Sequence, residues 1–180
     1  MYWIDEVKQN IKKKRQILFS KSSDILQNLQ DMLALKNKRI VVLWALSFAK
    51  ETVDYLKIKY PEEDAPSCCL EATKLWAAGQ IKMPQAKKEI LNCHALAKRL
   101  DCPEDIALCH AIGQACGSVH AKGHAIGFPI YELTAIVRKY GIEECPQFVE
   151  KRLQEYTDRL ILLEKENKDK DFEWAKFLCK

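Results

Sequence analysis

His120 and His124 stand four residues apart. On a helix that spacing puts two imidazoles on one face within about 6 Å, a geometry that suits paired zinc ligands. Cys116, about one turn earlier, could add a thiolate, so His120, His124 and Cys116 form the candidate metal set. No glutamate lies between Glu104 and these histidines, so the H-E-x-x-H base of a metal-assisted hydrolase is missing. The competing reading is structural: both imidazoles hydrogen-bond to neighbouring helices inside a core of small residues. His94 and His110 each follow a cysteine, Cys93 and Cys109. Adjacent helical residues point about 100° apart, so neither pair can serve internally as a nucleophile with its base. A pairing across helices, such as Cys93 with His110, stays open, but cysteine in an apolar stripe ordinarily behaves as a small buried hydrophobe. No catalytic residue follows from these patterns. Trp44, Trp76 and Tyr131 join the four histidines as candidate ligand- or partner-binding residues. Both tryptophans lie on apolar helical faces, where each indole N–H needs either an acceptor or a place at a pocket rim.

Most of these side chains are carried by one stretch, Cys102 to Tyr131. Asp101 can cap a helix whose first turn holds Pro103, Glu104 and Asp105. From Ile106 to Ile126 the residues are apolar or small on almost every side, interrupted chiefly by Gln114, Ser118 and Lys122. A surface helix needs a polar half, so the pattern predicts a central helix enclosed all round. Each glycine inside a helix costs roughly 1 kcal/mol against alanine. Gly113, Gly117, Gly123 and Gly127 therefore imply close approach of other helices or of a ligand. Their helical spacing, with no preceding strand, gives no phosphate-cradling loop.

The other elements are also helical by period. Tyr2–Phe19, Asp24–Leu35, Arg39–Tyr60, Cys68–Gly79 and Gln85–Leu100 precede the central helix. Phe128–Tyr140, Gln147–Glu166 and Phe172–Cys179 follow it, with Gly141 placed to end the first of these three. No segment reads as a strand. The fold class is all-α: a single-domain bundle, residues 1–180, of about eight mostly antiparallel helices around the buried Gly/Ala-rich central helix. A chain of 180 residues buries roughly 70% of its unfolded surface, so it needs neither disulfide nor metal for stability. The start, MYWIDEVKQNIKKKR, lacks the apolar core of a signal peptide. The eight cysteines are then expected to stay reduced in the cytoplasm. The longest apolar run, Ile40 to Ala49, is too short to span a bilayer. The 29 basic and 25 acidic residues are well mixed, and aromatics do not interleave with the basic run Lys12–Arg15, so neither a membrane nor a nucleic-acid partner is expected.

The segments WALSFAK, LWAAGQI and GSVHAKGHAIGFPIYELTAIVRKYG resemble a bacterial family of putative immunity proteins, the immunity-five-like class. The resemblance runs from about Leu43 to Gly141. Its markers are Trp44-Ala45-Leu46, Trp76 with Gly79 and Ile81, His94, and His120 with His124 and Tyr131. It implies a small helical cytoplasmic protein that neutralises a protein toxin made by its own or a kin cell. The cysteines are not part of that pattern.

Two function classes remain. One is a non-catalytic protein that binds a toxin. The other is a small-molecule or zinc site around His94, His110, His120 and His124, with or without enzymatic activity. The first needs no cofactor. Neither reading fixes an oligomeric state.

Overall fold

A computed structural model describes residues 2–179, and among them there are seven α-helices and no strand. They are α1 (Tyr2–Lys12), α2 (Asp24–Leu35), α3 (Lys38–Lys59), α4 (Ala65–Ala77), α5 (Met83–Leu96), α6 (Pro103–Gly117) and α7 (Gly127–Lys165). No helix among the described residues is long and apolar enough to cross a membrane. The buried apolar side chains form one continuous cluster from Trp3 to Leu178. At its centre Trp44, Phe48 and Tyr156 meet edge-to-face, with Phe128 beside Phe48 and Tyr156.

The helix boundaries depart from the periodicity at four places, each with a tertiary cause. α1 stops at Lys12 rather than Phe19, and Lys14 takes a left-handed φ of 54°. The chain then runs extended, so that Leu18 and Phe19 are buried. The Leu18 N–H donates to Thr134 Oγ1 at 3.0 Å, its carbonyl accepts from Asn10 Nδ2 at 2.9 Å, and Arg138 donates to the carbonyls of Arg15 and Gln16.

α6 ends at Gly117, about two and a half turns before Ile126, where the sequence pattern places its end. Beyond it Lys38 Nζ donates to the His120 carbonyl at 2.9 Å. Lys122 Nζ donates to the carbonyls of Ala34 and Lys36 at 2.7 and 3.1 Å, which caps the C-terminus of α2. These bonds outweigh the weak helical propensity of a segment containing Gly123 and Gly127.

Gly141, at φ 70° and ψ 169°, breaks the path of α7, but helical bonding resumes at once instead of after a loop. Tyr140 and Phe148 stack across the break at 3.7 Å. The Ile142 carbonyl, which Pro146 cannot satisfy, faces the Cys145 thiol at 3.7 Å. The C-terminal segment forms only short 3-10 turns, Lys168–Asp171 and Lys176–Leu178. It is pinned by the Ala175 N–H on the Ala77 carbonyl and by Arg39 on the buried Asp169.

α6 packs against α3, α4, α5 and α7, and from Glu104 to Gly117 every residue is buried or half-buried. Its small side chains therefore let four helices approach at once. One side is left partly open, and that side carries the histidines.

Candidate functional site

A cleft of about 240 Å³ lies between the end of α4, α5, α6 and the connection that follows α6. Trp76 from α4 and His94 from α5 line it, as do Gly113, Gln114 and Gly117 of α6 and His120 and His124 of the connection. The lining is mainly apolar, with a few convergent polar atoms, as ligand and partner sites commonly are. Trp76 is nearly buried and stacks on Phe177 at 5.9 Å, and Lys38 sits over the far ring at 5.9 Å. That wall runs on to His120 through the Lys38 bond to the His120 carbonyl.

Three glycines make room for three polar side chains. A Cβ on Gly113 would stand 2.4 Å from Cε1 and Nε2 of His94, so the imidazole lies directly on the α6 backbone. A Cβ on Gly117 would meet His124 Cγ at 3.2 Å. A Cβ on Gly127 would meet Gln114 Oε1 at 2.5 Å and Gln114 Cβ at 2.9 Å. The approach that these glycines allow is thus by the site's own side chains. Gly123 differs, having open space around it.

The imidazoles are held by neighbours that fix their hydrogens. His124 Nδ1 lies 3.2 Å from Gln114 Oε1, so Nδ1 carries the proton it donates and Nε2 keeps its lone pair. His94 Nδ1 lies 2.8 Å from His110 Nδ1, so one ring donates to the other. His110 in turn packs on Tyr131, with ring centroids 5.3 Å apart. Burial, and secondarily the neighbouring His110, pushes the His94 pKa below its ordinary value. Burial does the same to His110. For His124, burial acts first, then the charges of Lys21 and His120. Burial thus favours the neutral, hydrogen-bonding form of all three rings over the cation.

His94, His120, His124 and Trp76 share this cleft, whereas His110 and Tyr131 line an adjoining one on the other side of the His94–His110 bond. Trp44 belongs to neither. It is fully buried, its Nε1 donates to the Tyr156 carbonyl at 2.8 Å, and no face is left for a partner. The candidate metal set is not assembled either. Because α6 ends at Gly117, His120 and His124 do not share a helical face, and the Cys116 thiol is buried against the Cys69 carbonyl at 3.9 Å. Among the described residues no three His, Cys, Asp or Glu side chains are grouped to hold a metal ion. Cys93 points at the Cys109 carbonyl rather than at an imidazole. Burial pushes the Cys109 thiol up to about 12, far from a nucleophilic thiolate.

Two polar clusters were not legible in the sequence. Asp105 sits in the first turn of α6 but is fully buried. Its Oδ2 accepts from Lys59 Nζ and from Tyr60 OH, both at 2.6 Å, while Oδ1 has no partner. Glu132, Arg152 and Tyr156 form the second cluster, between the two halves of α7. Gln114 was visible only as a polar interruption, and its bond to His124 depends on a chain reversal that no local pattern encodes.

A family model described as Imm-5 like putative immunity protein matches residues 31–159, most of the chain. No curated protein and no solved structure matches it. Every residue lining the histidine cleft, from Trp76 to His124, falls inside the matched segment.

Proposed function

Since this chain belongs to the Imm-5 like putative immunity protein family, we propose that it protects its cell by binding a protein toxin, without chemistry of its own. The observation that carries this reading is the coincidence of the matched segment with a preformed cleft. Its glycines are filled by its own imidazoles, and His94 and His124 are already bonded to neighbouring side chains. Side chains committed in this way favour recognition by a fixed surface, which limits the ordering cost of binding. A bacterial cytoplasm is the compartment where such a protein would act, and the eight unpaired cysteines suit it.

The test is co-expression with a candidate toxin drawn from the genes beside its own. Growth should be restored, and a catalytically inactive form of that toxin should co-elute with this chain. Restored growth without any complex would favour an enzymatic route, and failure to restore growth would remove the immunity reading.

A second reading keeps the cleft as a small-molecule site, favoured by its apolar floor and the ring nitrogens that converge on it. Soaking the purified protein with a fragment library and locating bound molecules at His94 and His124 would support it.

A further inference from the structure

The histidine cleft borders a second one at Gln114. Arg15, Phe19, Lys21 and Tyr131 line that second cleft as well. That cleft shares Gln16, Ile17 and Tyr131 with a third, lined further by His110 and Arg138. None of the residues lining these three clefts is Asp or Glu, although the whole chain holds 25 acids against 29 bases. Lys87, Arg15, Lys21 and Arg138 line them, together with all four histidines. The contrast with the rest of the surface is sharp. Glu51, Glu104 and Glu132 line the cleft at Arg152, and Glu166 and Asp171 line the apolar cleft between α3 and α7.

Lys21, Lys87 and Arg15 have no carboxylate of the described residues within 4.0 Å. The rim that carries Arg15 and Lys21 is held in place, since Arg138, Thr134 and Asn10 bond the backbone of Arg15, Gln16 and Leu18, and Gln30 donates to the Lys21 carbonyl. Uncompensated cations on a fixed, concave surface attract anions and suppress partners of like charge. Here the cations are distributed over α5, the 15–21 segment and α7, and Trp76 and Tyr131 line the same clefts. That distribution suits a series of carboxylates with apolar side chains interleaved better than one small anion.

We propose that this carboxylate-free groove is where the toxin docks, taking an acidic segment of that partner across Gln114. The proposal rests on the immunity reading and adds to it the chemistry of the partner.

The experiment uses three fluorescein-labelled peptides of equal length and apolar content, rich in Glu, Gln or Lys, titrated with the full chain. The Glu-rich peptide should bind at least about tenfold tighter than the others, and more weakly as salt rises. The double variant Lys21→Glu, Lys87→Glu should lose roughly tenfold or more of that affinity. Both lysines are exposed, so its melting curve should match the parent's. Equal binding of all three peptides, or unchanged affinity in the double variant, overturns the proposal. So does inorganic phosphate or a single-stranded oligonucleotide binding with the same sensitivity to charge reversal, which would make the groove a general anion site.

Growth protection separates the two readings. A parent that protects and a double variant that does not supports both. A double variant that protects as well as the parent overturns the groove and leaves the immunity reading standing. A parent that fails to protect removes the immunity reading, and toxin docking with it.

Discussion

The Nδ1 atoms of His94 and His110 lie 2.8 Å apart, with the ring planes tilted by 31°, so a single proton joins α5 to α6 beneath the cleft. A proton added at the accepting Nδ1 would set two N–H groups against each other, and one added at the donor's free Nε2 would charge a buried ring. Burial already disfavours the charged form of both rings. The pair is thus a fastener favoured in its neutral form.

A pH dependence follows from the direction of these shifts. The unfolded histidines take up protons near their ordinary pKa of about 6.5, while the folded pair refuses them until lower pH. Stability from the pair is therefore present above that value and lost as pH falls below it, because the unfolded state then binds more protons. The urea midpoint should be lower at pH 5 than at pH 7.5. His94→Asn keeps a polar atom near the Nδ1 position but does not titrate, and it should flatten that difference. A midpoint that falls equally far in the variant would assign the loss to other groups.

Gly113 should be the least replaceable glycine of α6. Alanine there gains up to about 1 kcal/mol of helix propensity. Its Cβ, however, would lie 2.4 Å from the His94 ring, which cannot turn aside without breaking its bond to His110. The expected net cost of Gly113→Ala is about 1–3 kcal/mol, in the range of other overpacked cores. Gly117→Ala, with its nearest contact at 3.2 Å, should stay within about 1 kcal/mol of the parent. Removing the ring in a Gly113→Ala, His94→Ala pair should give a coupling energy of the sign that relieves the clash, measured by a double-mutant cycle.

These contacts also mark how far the sequence could be read. The all-helical class and most helix positions follow from apolar spacing, which reports burial directly. The glycines of the central stretch announce a close approach, but sequence does not say that His94, His124 and Gln114 are what approaches. His120 and His124 meet in the cleft but not on one helical face, because tertiary bonds from Lys38 and Lys122 hold the chain after Gly117 in a non-helical path. Leu18 was misplaced on α1 for the same reason, since its backbone partners, Asn10 and Thr134, belong to two different helices. Periodicity registers which face is buried; it carries no record of which long-range donor claims a carbonyl.

Thiol reactivity should divide the eight cysteines sharply. All are unpaired, and only Cys68 and Cys179 are exposed. Contact with Cys116 and Cys93, together with burial, holds the Cys69 thiol well above the ordinary range. Burial raises Cys145 and the half-buried Cys102 as well. A chromogenic disulfide reagent at neutral pH should therefore titrate two thiols quickly in the native protein, with Cys102 slower. All eight should react in denaturant. A fast native count well above two would mean that the packing around Cys69, Cys93 and Cys116 opens readily.

The cluster at Glu132 makes the strongest demand on stability. Arg152 donates from Nε and Nη2 to the two Glu132 oxygens at 2.9 and 2.8 Å, and Tyr156 OH donates to the same carboxylate. Arg152 also reaches Glu155 at 2.6 Å and Glu51 at 3.0 Å, and both of these are more exposed. The two partners should therefore respond unequally to substitution. Glu132→Gln leaves the guanidinium with two carboxylates and should cost about 2–3 kcal/mol, below the full penalty of a broken buried pair. Arg152→Met leaves the Glu132 carboxylate buried with only a phenol for company, and should cost about 3–5 kcal/mol. Urea unfolding of both variants at pH 7.5 checks this. Equal costs for the two substitutions would show that the stacking of Arg152 on Phe48, at 4.6 Å, matters more than its charge.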